Sequence, residues 1–407
     1  MPIARVIANI IATEYSGVSL AIVDKSNDRI FSGLNSIHES LLKQLGERFN
    51  EEVERVMKIP LAEREILPKI LELAGVIKVE QSSKLLVIGG TSNFPDLSTV
   101  HEDIRAQYLE ARRRARAIRD EKRNWLLMFV PFPSEAALVN KPYRQQLTDF
   151  FAACDRDWPA IETAQSRLID ILSSNNTLSI VSSDANDRWP TNLIIDITRD
   201  PIPNDIIAEP RRNFANSGIH RNMPGSEVFT GPKSVNGILG VNHPLVISNI
   251  VLGGLKVEIK DNEVLLDKIE VGLTDQEIAS LSPTDAESLI TQRRNQIIDI
   301  FKVDNGARFI GELGIGTNSK IKGIQPNPIM AEKGGFHLGV GYSYQYKSEP
   351  YLNGEWVNVD NGNRSHSHLD ISPGGRYTVI LTNPVGDETI LIADDKFIPV
   401  ELSDLNV

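Results

Sequence analysis

Three of the seven histidines in this 407-residue chain, His337, His366 and His368, fall in one stretch flanked by the carboxylates Glu332 and Asp370. It opens AEKGGFHLGVGYSYQ and closes NRSHSHLD. Imidazole with carboxylate is a donor set for divalent metals that activate water. Glycines at 334, 335, 339 and 341 let the backbone bend and approach closely. Further donors are expected from Glu227 in NMPGSEVFTGP and Glu312 in GELGIGTN. Glu312 ends an apolar run from Phe309, where a buried carboxylate is costly unless it is paired or metal-bound. Glu227 follows a rigid turn sequence that can project a side chain into a cleft. His368 and Asp370 are two apart, so on a strand both point to one face. The double glycine between Glu332 and His337 fits a turn that folds two donors together. Taken singly, each residue fits a surface or capping role. Taken together, four special-backbone segments each end in a ligand-type side chain, and they point to one metal site.

Composition sets the frame for such a site. The length argues for two domains. Apolar residues at 41% and charged residues at 24% are ordinary for a globular chain. A net charge of −11 argues against nucleic acid as a partner, because that surface needs clustered positive charge. A single cysteine, Cys154, excludes an internal disulfide and is consistent with a reducing compartment. No run of about eighteen apolar residues is present, so no membrane partner is expected. The opening MPIARVIANIIATEYSG lacks a long apolar segment with a small-residue cleavage site and reads as structural. A soluble cytoplasmic protein is expected.

Hydrophobic spacing gives the elements that must position the donors. Strands are expected at 3–12, 18–24, 84–93, 124–133, 177–184 and 192–198. Helices are expected at 35–57, 61–74, 101–123, 134–154 and 160–173. Alternating strands and helices over the first two hundred residues predict an α/β domain with a sheet and packed helices, 1–205. The GGTS turn after Ile88 lacks the full phosphate-binding glycine fingerprint and the lysine of a P-loop. The basic run Arg112–Arg116 reads as a solvated helix face. Near residue 200 the chain becomes rich in Pro, Asn and Gly, which marks a boundary loop. Beyond it, short strands at 246–252, 254–259, 263–271 and 308–314, one helix at 283–302 and a hairpin turning at Asn383–Asp387 predict a β-rich α+β catalytic domain, 206–407.

The blocks NMPGSEVFTGP, SVNG, GELGIGTN, EKGGFH with LGVGYSY, and NRSHSHLD occur in that order. With WLLMFVPFPSEAALV from the first half, they resemble the metallo-aminopeptidases of the aminopeptidase T and aminopeptidase S type. The resemblance covers about three quarters of the chain; the first eighty residues do not share it. It implies two divalent ions, Zn, Co or Mn, held by Glu227, Glu312, Glu332, His337, His368 and Asp370, with Glu312 bridging and Tyr344 nearby. It implies a water activated between ions roughly 3.5–4 Å apart, with Tyr344 hydrogen-bonding the developing oxyanion and Glu227 or Glu312 carrying the proton to the leaving amine. The substrate implied is a peptide with a free N-terminus, and the assembly a homodimer. His366 is expected beside the ligands rather than among them. Ser226 stands where that family usually has glycine, and Ala331 where it has an acidic residue. His337 and Tyr344 are an odd number apart, so a bulge at Gly339 or Gly341 is expected if both are to face the metals. Two other readings stay open: a mononuclear non-haem iron, ring-opening dioxygenase using His337, His368 and Asp370 as a facial triad, and a binding or biosynthetic protein with a dedicated substrate.

Overall fold

The computed structural model describes residues 21–24, 29–32, 85–89, 125–129, 131, 133–182, 184, 186–198, 207–209, 220–248, 250–325, 328–343, 346–347, 356–357, 361–365, 367–374 and 376–407. The expected strand at 3–12, the helices at 35–57, 61–74 and 101–123, the GGTS turn, Arg112–Arg116, Tyr344 and His366 lie outside them. The fold is mixed α/β and divides into two compact units, 1–132 with 213–223 and 133–212 with 224–407.

In the first unit a parallel sheet joins Leu85–Gly89, Trp125–Phe129 and His220–Met223, and Ala21–Asp24 pairs with Arg29–Ser32 as a hairpin. The strand HRNM comes from the stretch that reads as a boundary loop, because it has no apolar alternation to signal it. The division by contacts also differs from a boundary near 205. Strands Thr177–Ser182 and Asn192–Asp196 hydrogen-bond to Tyr377–Thr382 and Ser234–Val241, which ties 133–198 to the second half.

The second unit contains a nine-stranded antiparallel sheet. Its strands run in the order Glu263–Val264, Gly254–Lys260, Ser234–Val241, Asn192–Asp196, Thr177–Ser182, Tyr377–Thr382, Glu388–Ala393 and Lys396–Phe397, with Glu270–Gly272 also on Gly254–Lys260. One face of each central strand is apolar and buried, for example Leu178 and Ile180, Leu193 and Ile195, and Val379 and Leu381. Helix α1, Trp158–Ser173, buries Ile161, Ala164, Gln165, Leu168 and Leu172, the three-and-four spacing of an amphipathic helix. Asp157 caps it by accepting the Ala160 N–H at 3.2 Å.

Five further strands form a second sheet: β1 (Ile207–Glu209), β2 (Glu227–Thr230), β3 (Ile310–Gly316), β4 (Phe336–Gly341) and β5 (His368–Ile371), in the spatial order β5-β4-β3-β2-β1. Helix α2, Pro328–Gly334, leads into β4. The single helix expected at 134–154 is two, Pro133–Leu138 and Tyr143–Cys154, because Asn140 turns to φ 50° and Pro142 cannot continue a helix. The strand expected at 246–252 is a hairpin, Leu245–Ile247 against Ile250–Leu252, with Ser248 at φ 46°.

A short helix that the apolar spacing does not signal, Asp275–Ser280, starts at a capping box between Thr274 and Glu277. Arg293, from helix Pro283–Phe301, grips the same Glu277 carboxylate through two N–H groups at 2.6 and 2.8 Å. The Arg293 hydrogen bonds, with help from Thr274, hold the Glu277 carboxyl down to about 2. A depressed carboxyl stabilises the fold above its unfolded value near pH 4.5, and the contribution fades as pH falls through about 2. Glu277→Gln should therefore lower Tm by roughly 1–3 °C at pH 7 and leave it nearly unchanged near pH 2, as read by calorimetry at both pH values.

Candidate metal centre

Strand register places five of the six candidate ligands. Glu227 lies opposite Gly316, and His337 opposite Gly314. Gly339 lies between Glu312 and Asp370, and Gly341 is opposite His368. Directly opposed residues share a face. Glu227, Glu312, His337, His368 and Asp370 therefore rise from one face, each beside a glycine. The other face carries Val228, Leu313, Ile315, Leu338, Val340 and Ile371 into the apolar core.

Steric demand explains the glycines. A methyl group at Gly314 would lie 2.0 Å from the His337 ring, and one at Gly339 would lie 2.7 Å from the His368 ring and 2.8 Å from Glu312 Cβ. The candidate donor side chains lie down over bare backbone.

Glu332 comes from the end of α2 rather than from a strand. The turn that follows is pinned where the Phe336 N–H donates to the Tyr377 hydroxyl at 2.7 Å. Burial pushes that hydroxyl up to about 12, so it stays neutral. Among the described residues, Glu332, His337 and Asp370 form one of three groups of converging donor atoms. The others are Glu227, Glu312 and His337, and Glu312, His368 and Asp370.

The spacing suits shared ions. His337 Nε2 lies 3.6 Å from Glu227 and 3.5 Å from Glu312 Oε1. His368 Nε2 lies 3.7 Å from Glu312 Oε2 and 3.1 Å from Asp370. Donors held about 2.0–2.2 Å from one ion, at angles near 90–110°, stand roughly 3–3.6 Å apart. Among the described residues, neither ring nitrogen of the fully buried His337 has a hydrogen-bond partner of good geometry. His368 Nδ1 faces the Tyr342 carbonyl at 2.8 Å, which can only accept, so Nδ1 carries a proton and Nε2, turned to the carboxylates, is the nitrogen that would bind a metal. By these tests the residues fit divalent metal.

The electrostatics also call for a cation. Burial pushes the Glu332 carboxyl well above its ordinary range; Lys333 opposes the shift, and Asp370 and Glu227 add to it. Burial also works to raise the Asp370 carboxyl, but the charge and hydrogen bond of His368 prevail and hold it low. Burial works to lower the His337 value, and Glu312, Glu227 and Asp370 overcome it and hold it raised. Cys154 is a thiol at neutral pH, since burial pushes it up to about 12.

The chain shares its fold with wild-type AmpT from Thermus thermophilus. The two align over 96% of this chain and 98% of that one, at 15% identity and a TM-score of 0.57. AmpT is an aminopeptidase, and at this identity the likeness is one of fold. No family model and no curated protein matches the sequence.

Several contributors have no motif to announce them. Lys333 is fully buried, donates to Glu227 and lies 3.3 Å from Glu332. Its only sequence signal is adjacency to a ligand. Asn361 and Asn363 hold the approach to β5 by donating to the Ile310 carbonyl at 2.8 Å and the Phe309 carbonyl at 3.2 Å. The expected bulge falls elsewhere. The ladder gains its extra residue on β3, between Ile310 and Glu312, whereas β4 keeps register with β5 and bends only at Gly341, φ 111°. Gly311 absorbs the insertion because a side chain there would meet the Gly341 carbonyl at 2.4 Å.

Ser226 carries the strain of the site. Its φ of 106° suits glycine and strains any side chain. Its hydroxyl bonds Thr317, and Gln165 of α1 donates to Thr317 at 2.8 Å and to the Glu227 carbonyl at 3.2 Å. The buried network holds the turn that aims Glu227. Ser226→Ala should cost about 1–2 kcal/mol, keeping the strain and losing the bonds. Ser226→Gly relieves the strain and should be the more stable variant by about 1 kcal/mol, reversing the usual penalty for glycine. Urea unfolding of both variants checks the order, and an alanine variant as stable as the glycine one would show the turn unstrained.

Proposed function

We propose that the protein is a metal-dependent aminopeptidase that hydrolyses the N-terminal residue of peptides at a dinuclear centre. One observation carries this reading: Glu312 presents Oε1 to His337 and Oε2 to His368, the disposition of a carboxylate that bridges two ions. None of the three donor groups contains both histidines, which favours two ions over a facial triad of His337, His368 and Asp370. The shared fold with an aminopeptidase and the order of the sequence blocks support the same substrate class.

Glu227, Glu312, Glu332, His337, His368 and Asp370 would hold two divalent ions, Zn, Co or Mn. When bound, such ions polarise a carbonyl and lower the pKa of water from about 15.7 towards about 7. The protein's own residues do the rest. The buried acidic cluster attracts an ammonium group, which selects a peptide's free N-terminus over an internal segment. His368 and Asp370 are the more open members of the set, whereas His337 is sealed, so substrate enters on the β5 side. Glu227 or Glu312 takes the proton of the attacking water and passes it to the leaving amine. The aminopeptidase resemblance would give Tyr344 the role of hydrogen-bonding the developing oxyanion.

With Zn, Co or Mn present, the purified protein should release N-terminal residues from unblocked peptides and amino-acid p-nitroanilides, and leave N-acetylated peptides intact. Glu312→Gln should lower kcat/KM by on the order of 10³-fold. Absence of turnover across a panel covering every residue type would overturn a general peptidase and favour a dedicated substrate.

A further inference from the structure

Lys333 is the one lysine whose side chain is wholly buried among the described residues. It sits at the end of α2, donates to Glu227 Oε1, and its Nζ lies 3.3 Å from Glu332 Oε1. Both carboxylates belong to donor groups that contain His337, and neither belongs to the group of Glu312, His368 and Asp370. Among the described residues, both carboxylates that hold the ammonium therefore lie on the His337 side of the centre.

We infer that Lys333 is a positioning residue that stands in for metal on the His337 side of the centre, holding Glu227 and Glu332 in place while that side is empty and weakening metal binding there. The inference rests on the dinuclear reading. The reasoning is electrostatic. Buried carboxylates need a countercharge, and an unpaired buried charge is strongly destabilising. With the centre empty, Lys333 is the nearest lysine or arginine to both glutamates among the described residues. With ions bound, the glutamates have their countercharge and the ammonium faces like charge a few ångströms away. One residue thus stabilises the metal-free protein and opposes loading on its own side. The Glu312–His368–Asp370 side carries no such penalty and fills at the lower metal concentration. The two effects are linked: whatever stabilises the empty state more than the loaded state lowers affinity by the same free energy.

Lys333→Met keeps the length of the side chain and removes its charge, and Lys333→Arg keeps the charge. Chelator competition with zinc gives the two affinities, and thermal melts in excess chelator and in saturating zinc give the stabilities. Wild-type protein should bind two zinc ions with unequal affinity. Lys333→Met should tighten the weaker site by on the order of tenfold or more. It should also lose more Tm in chelator than in zinc, while Lys333→Arg keeps the wild-type gap between the sites. A Lys333→Met protein that folds only with zinc present supports the inference. Equal Tm losses in the two conditions, a weaker second site, or a variant that fails to fold even with zinc would overturn it and leave Lys333 a structural residue. Wild-type protein that takes up no zinc overturns the dinuclear reading and this inference with it.

Discussion

Four carboxylates converging on one face of a sheet are the constraint around which the second unit is arranged. Two like charges 4 Å apart at the edge of a protein repel by about 4 kcal/mol, and burial makes matters worse. Nothing in an apolar core offsets this. Two imidazoles and the ammonium of Lys333 surround the carboxylates; burial drives the Glu332 carboxyl up, while neighbouring charges overcome burial to hold Asp370 low and His337 raised. A cluster this unfavourable on its own is one that could hold a metal ion.

Holding it takes a stiff support. The register of β2 to β5 alternates ligands with glycines on one face and packs branched apolar side chains on the other. The apolar face fixes the sheet, and the glycine face leaves the donors nowhere to lie except over the backbone. The buried bonds of Gln165, Ser226 and Thr317 fix the turn that enters β2, and Tyr377 fixes the turn that enters β4. Both turns are the points at which a ligand is aimed.

Much of this was legible in the sequence, and the reason is physical. Donor chemistry is local: Glu227, Glu312, Glu332, His337, His368 and Asp370 stand out because histidine and carboxylate beside glycine are unusual company. Apolar periodicity likewise marked helices such as Trp158–Ser173 and Pro283–Phe301. Polar contributors were not legible. Lys333, Gln165 and Asn363 act through partners more than twenty residues away in the chain, so no local pattern could reveal them. The bulge was misplaced for a related reason. Twist between strands can be absorbed on either one, and the close approach of Gly311 to the Gly341 carbonyl chose β3. The division into units differs from a boundary near 205 because composition reports a change of local character, whereas pairing across the whole unit groups its strands.

The account stands or falls on the number of ions. Elemental mass spectrometry on protein exposed to Zn, Co or Mn and then dialysed should find about two ions per chain, with fewer retained after Glu312→Ala or His337→Ala. A single iron per chain that survives loss of Glu227, or no bound metal at all, would contradict it.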